Sequence, residues 1–210
     1  MKNTERPARP RGRPRAFDRS EALARAAMTF WRLGYEGASI ADLTAAMGIT
    51  PQSLYAAFSS KADLYREALT WYQETMGAST RQALAEEDVV TALVRVLREA
   101  ARDFAAPDRP PGCMISTAVL TCAVENDPLA HHVTALRTAT LAAIADRIRR
   151  GIADGQLKPE TDPGSLARFV GAMIQGMSVQ ARDGASEAEL SAMVDHAAAA
   201  IGRYTASRAK

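Results

Sequence analysis

The chain of 210 residues is 47% hydrophobic and 24% charged, the balance of a globular protein long enough to bury a core. Only 6% of residues are aromatic and alanine is abundant, which favours helix over sheet. No apolar run approaches the ~20 residues of a membrane-spanning helix, and the basic first residues lack the apolar stretch of a secretory signal, so a cytoplasmic location is expected.

Formal net charge is only +2, but its distribution is uneven. Lys2, Arg6, Arg9, Arg11, Arg13, Arg15 and Arg19 stand against Glu5 and Asp18, which leaves the rest of the chain mildly acidic. A basic arm on an acidic body points to a polyanionic partner at one end. Cys113 and Cys122 are half a helical turn out of phase, and His131, His132 and His196 form no cluster. Neither set has disulfide or metal-ligand spacing, so no metal or cofactor is expected. With no G-x-S-x-G elbow and no phosphate-binding glycine loop, the pattern is not that of an enzyme.

After the arm, Asp18 and Glu21 form a capping-box-like start. Leu23, Ala26, Ala27, Phe30 and Trp31 recur on one helical face, with Gly34 as the stop. Ser39 and Asp42 open a second, short helix with Ile40, Leu43 and Met47 on its apolar face, ending at Gly48. Thr50-Pro51 reads as the N-cap and first position of a third helix through Phe58. Ser60 and Asp63 start a long fourth helix with Leu64, Ala68 and Trp71 inward. Another stripe runs from Val89 to Phe104, and Pro107, Pro110 and Pro111 stiffen the connection that follows. A short apolar segment from Cys113 to about Val124 comes next, then a long helix to Asp154. Asp162-Pro163 and Ser186 open the last two, the final one reaching about Ser207. The expectation is an all-α protein of about nine helices.

Two short amphipathic helices joined through Gly48 and Ile49 meet the demands of a helix-turn-helix: a residue that tolerates positive φ, then an apolar plug. Pro51, Gln52, Ser53 and Tyr55 supply an outward face for base edges, with Leu54 and Phe58 as inward anchors. Lys61, opening the next helix, is placed to meet a phosphate.

From Gly34-Tyr35 through Leu64 the chain resembles the DNA-binding domain of the tetracycline-repressor (TetR) family. The likeness is carried by Ser39-Ile40, Gly48-Ile49-Thr50, Ser53-Leu54-Tyr55-Ala56-Ala57-Phe58 and Ser60-Lys61-Ala62-Asp63-Leu64. It implies that Tyr55 and Lys61 hold the phosphate backbone, while Thr50, Gln52 and Ser53 face the groove, with Ser39 among the contacts. Many members carry a small residue where this chain has Gln52, whose amide can read adenine with both ends. Arg11-Gly12-Arg13-Pro14-Arg15 resembles an AT-hook core. Its arginines are drawn to a narrow minor groove, and the arm is expected to be disordered without DNA.

The resemblance further implies a larger helical domain that binds a small ligand and dimerises. The division expected is an arm at 1–17, a helix-turn-helix domain at 18–64 and a ligand-binding and dimerisation domain at 65–210. Leu166, Val170, Met173 and Met177, then Leu190, Val194, Ala197, Ile201 and Tyr204, step by three and four, which suits a four-helix interface between two copies, the alternative being an intramolecular core, and the resemblance decides for the dimer interface. Trp71, Met76, Phe104, Met114, Thr117, Leu120 and Met173 are candidates to line an apolar ligand cavity, and Cys113 to open a helix whose amide dipoles favour a thiolate. The expected partners are operator DNA, a second copy and a small-molecule effector. The competing readings are a ligand-independent architectural DNA-binding protein and a redox- or electrophile-sensing repressor acting through Cys113.

Overall fold

The computed structural model describes residues 17–120 and 122–206, so the arm with Arg11, Arg13 and Arg15 lies outside them. Nine α-helices and one 3-10 turn (Val124–Asn126) make up the described residues, whose one β-type contact is an isolated bridge between Leu157 and Thr205. The architecture is all-α.

The reading head is built from α1 (Arg19–Gly37), α2 (Ile40–Met47), α3 (Pro51–Phe58) and the start of α4 (Lys61–Thr75). Each helix begins where its capping residue takes up orphan amides. The Asp18 carboxylate accepts from the Ser20 and Glu21 N–H groups, Thr50 from Ser53 and Ser60 from Asp63. Ser39 and Asp42 close a full capping box. Glu21 does not: its carboxylate turns forward to Arg25 at 2.5 Å, so α1 has a simple cap rather than the box its sequence suggests. Gly34 breaks α1 with φ of 74°, and Gly48, at φ 69°, ends α2 in the left-handed conformation. There the Ile49 N–H returns to the Thr44 carbonyl.

These helices share one core. Phe30, Trp31, Leu43, Leu54, Phe58, Leu64 and Tyr65 are all buried, and Tyr65 meets Phe30 edge-on with ring centroids 4.8 Å apart. Arg19 clamps the outside: its guanidinium lies 4.3 Å over the Phe58 ring and binds Glu67 at 2.8 Å. The orientation of α3 therefore rests on a packed interior, where truncating a ring such as Phe58 costs about 3–5 kcal/mol.

The body comprises α5 (Ala78–Ala83), α6 (Val89–Phe104), α7 (Asp127–Ala153), α8 (Pro163–Arg182) and α9 (Glu187–Gly202). Helix α6 packs against α8 and α9, and α7 against α8, around a second core that includes Leu93, Leu97, Ile144, Val170 and Val194. The count of nine agrees with expectation, but not for the expected reason. The segment after Cys113 is a series of turns to Leu120, not a helix, while the chain after α4 forms the short α5. Val119 at φ 48° marks how irregular that segment is. Helix α9 stops at Gly202, short of Ser207. Tyr204 lies past it, its carbonyl taking the Lys158 N–H at 2.9 Å.

Head and body are tied around Trp31, and also through α7, whose Leu129 and Val133 enter the head's core while Asn126 just before it donates to Glu36 at 2.6 Å. The Trp31 indole N–H donates to the Gly112 carbonyl at 3.2 Å, and Arg182 of α8 donates to the Trp31 carbonyl at 2.9 Å. Beside them the Cys113 N–H donates to Ser178 Oγ at 2.8 Å. Gly112 is required here, since its φ is 74° and a Cβ would sit 2.6 Å from the Ser178 carbonyl oxygen.

Candidate functional site

Helix α3 presents Pro51, Gln52, Tyr55 and Ala56 to solvent while Leu54 and Phe58 are buried. Tyr55 is 49% exposed, so its ring and hydroxyl are open to a partner. Thr50 and Ser53 are tied together, their hydroxyls 3.0 Å apart, so the turn and the first residues of α3 form one rigid edge. The Ser39 hydroxyl is engaged in its capping box at 2.6 Å from the Asp42 carboxylate. Lys61 is held over the Tyr35 ring, its ammonium 4.5 Å from the centroid. Burial lowers the Lys61 pKa, with Glu36 opposing, so the ammonium is partly stripped of water and a phosphate oxygen would compensate it. The outward residues named from the sequence thus lie along α3 and the adjoining helix starts.

The body holds a cavity of about 330 Å³ bounded by α4, α5, α6, α7, α8 and the 109–116 segment, within the size range of ligand sites. Its wall is mostly apolar, with Val96, Phe104, Leu141 and Ile174 among the lining residues. Met76, Phe104 and Cys113 line it as expected, whereas Trp71, Met114, Thr117, Leu120 and Met173 do not. Met114 is buried in the reading-head core, Met173 packs on the body core and Leu120 is 65% exposed. Trp71 faces a shallow groove beside α1. The expected inner face of α4 drifts by one residue at its end: Ala68 is followed inward by Tyr72, four residues on, not by Trp71.

Tyr72 and Trp31, both missed by the sequence reading, are the aromatic part of the wall, edge-to-face with centroids 4.9 Å apart. Burial, and after it the neighbouring Cys113 thiol, hold the Tyr72 phenol well above its ordinary pKa. Cys113 does not open a helix, which removes the dipole argument for it. The turn supplies a local substitute: the Ile115 and Ser116 N–H groups both point at its sulfur, each 3.4 Å away.

The residues named for a dimer interface require a larger correction. Leu166, Val170, Met177, Leu190, Val194, Ala197 and Ile201 are at most 3% exposed in the single chain. They face α6 and one another as part of the body core, and so are not available to a second copy. Tyr204 is exposed but off the helix. The free face of α8 is the opposite one, where Phe169, Ala172 and Val179 are exposed and Gly176 half-buried. On α9 the exposed positions include Ala188, Ala192 and Ala199.

An outward-facing recognition helix on a compact helical head, joined to a cavity-bearing helical body, defines a helix-turn-helix transcriptional regulator. The sequence profile of "Bacterial regulatory proteins, tetR family" matches residues 22–68 and that of "Tetracyclin repressor-like, C-terminal domain" matches 88–201. The chain belongs to the TetR family, whose members are regulators and not enzymes. It is 34% identical over 178 residues to the HTH-type transcriptional repressor ComR of Escherichia coli K12, covering 84% of this chain and 85% of that one. It is 32% identical over 200 residues to the repressor BdcR of the same organism, covering 94% and 96%. Among solved structures, a cysteine mutant of the TetR-family regulator CifR complexed with 26-base-pair operator DNA superposes with a TM-score of 0.86 at 43% identity, over 90% of this chain and 99% of that one.

Proposed function

We propose that this regulator is a homodimeric repressor that holds a palindromic operator through α3 and releases it when a small ligand occupies the body cavity. The observation that carries the reading is the pairing of an exposed, polar α3 face with a cavity that reaches Trp31 of the head's first helix. Gln52, Ser53 and Thr50 meet base edges, Pro51 and Ser39 lie beside them, and Tyr55 and Lys61 hold phosphates. The arginines of the arm lie in the adjoining minor groove. The working division is the one expected from sequence, a head to residue 64 and a body from 65, with α4 shared by both. The proposed location is cytoplasmic, where a regulator meets its DNA; no described helix is long and apolar enough to cross a membrane.

The second copy docks on the outer faces of α8 and α9, around Phe169, Ala172, Gly176, Val179 and Ala192. A two-fold pair then sets two α3 helices one DNA turn apart, about 34–36 Å. A ligand switches the protein only by binding one spacing of the heads better than another. Fluorescence anisotropy on the DNA upstream of the gene tests the first half: nanomolar, salt-dependent binding to a palindrome is expected, and affinity no better than for random duplex overturns it. A thermal-shift screen with apolar compounds tests the second, because a cavity ligand raises the melting temperature by mass action.

A second reading has one observation in its favour, the two amides aimed at the Cys113 sulfur on the cavity wall. They hold the sulfur in place on the cavity wall, where a captured electrophile would meet it. In this reading the thiol adds to an activated carbon–carbon double bond in the cavity: the carbon–sulfur bond forms as the π bond breaks, the thiol proton passes to the neighbouring carbon, and the adduct takes the place of a reversible ligand. Unchanged operator affinity after complete alkylation of Cys113 would exclude it.

A further inference from the structure

The cavity wall carries a charge that an apolar ligand would leave unanswered. Arg81, Arg109 and Arg137 line it, against Asp103 as the one lining carboxylate among the described residues. Asp103 is engaged by Arg102 at 3.2 Å and by Ser79 at 3.4 Å. Arg109 is neutralised by both oxygens of Asp108, at 2.9 and 3.1 Å. Arg81 is exposed, so water screens it. Arg137 has neither remedy. It is half-buried, and its guanidinium donates to the Ala118 carbonyl at 2.9 Å, the Ile115 carbonyl at 3.3 Å and Thr134 Oγ1 at 3.0 Å.

All three acceptors are neutral, and no described carboxylate lies within ion-pair distance. Burial accordingly lowers its pKa, opposed by Tyr65 alone. A half-buried cation without a counter-ion is unfavourable, and the guanidinium has five N–H groups, of which these contacts do not use all. A carboxylate would answer the charge and fit the planar fork with two parallel hydrogen bonds. The rest of the wall, with Leu84, Val96, Phe104, Leu141 and Ile174, suits an alkyl or aryl body.

We propose that the effector is an amphipathic anion, an apolar body carrying a carboxylate head that Arg137 holds at the cavity wall. This rests on the cavity being the effector site and narrows what that site takes.

The test uses the full-length protein and three probes of equal chain length: decanoate, decan-1-ol and decylamine. Titration calorimetry on the wild type should give decanoate about ten- to hundred-fold tighter than decan-1-ol, the span of a hydrogen bond to a charged group. Decylamine should be the weakest. In Arg137→Gln the preference for decanoate over decan-1-ol should vanish while decan-1-ol binds as before, and Arg137→Lys should keep part of the preference. If Arg137 only braces the turn at 115–118, Arg137→Gln weakens both probes equally and the proposal fails. Equal wild-type affinities for decanoate and decan-1-ol also overturn it, but leave the cavity as an effector site. If none of the three binds, the anion proposal falls. The cavity reading then stands or falls on whether Ala100→Trp, which fills the cavity, abolishes the hits of the apolar thermal-shift screen.

Discussion

At the scale of single residues, the proposed function divides the outer face of α3 into groups that read and groups that hold. Gln52 is exposed, and no described hydrogen bond engages its amide, which leaves both ends of that amide for a base. Replacing it with alanine should cost about 1–3 kcal/mol on the preferred operator and much less on random duplex, so discrimination falls more than affinity does. Lys61→Gln should weaken binding to all sequences alike and reduce the salt-dependence slope by about one. Anisotropy titrations of both variants at several salt concentrations separate the two effects, and a uniform loss in Gln52→Ala would remove its reading role. The turn and helices that present these positions were legible because short-range chemistry fixes them: a capping hydroxyl, a proline at the first helical position and a glycine at the turn each have one local solution. Cys113 was not, because its environment depends on a turn followed by the positive φ of Val119, for which β-branched sequence gives no warning.

At the scale of elements, α8 has two apolar faces and the sequence alone does not say which is covered. Leu166, Val170, Met173 and Met177 step by three and four, but so do Phe169, Ala172, Gly176 and Val179. A helix apolar on most of its circumference is one that is covered on both sides. The fold assigns the bulkier stripe to α6 and leaves the stripe with the smaller residues free, and only packing decides between them. Phe169→Lys combined with Val179→Lys should therefore give a folded monomer by sedimentation, with unchanged circular dichroism and a large loss of operator affinity. A dimer that survives both substitutions would place the interface elsewhere. A charge at Val194, by contrast, would enter the body core and unfold the chain.

At the scale of the whole molecule, the proposed ligand cavity reaches the head directly at Trp31. Trp31 lines the cavity with its ring, gives its indole N–H to Gly112 and its carbonyl to Arg182. A ligand that displaces the ring pulls on α1 and α8 together, the one bearing the head and the other the free apolar face. Arg182→Ala should leave operator affinity and decanoate affinity close to wild type while the effect of decanoate on operator affinity shrinks. Coupling of this kind is commonly about 1–3 kcal/mol. Anisotropy with and without decanoate measures it, and full coupling in Arg182→Ala would exclude this route. The all-α class and the head were readable from helical periodicity and caps. The cavity was not, because its wall draws on segments more than a hundred residues apart, and periodicity speaks only of neighbours in the chain.

The knot at Trp31 also limits how far this protein can be taken apart. Regulators are often imagined as interchangeable readers and sensors, with a chimera made by cutting after the fourth helix. Here such a cut would carry Trp31 away from its hydrogen-bond partners Gly112 and Arg182, both in the other part. The transplanted head would be cut off from the cavity and would also lose Met114, Leu129 and Val133 from its core. A working chimera has to bring the 109–116 segment, the start of α7 and the end of α8 along with it, so the transferable unit is not contiguous in the gene.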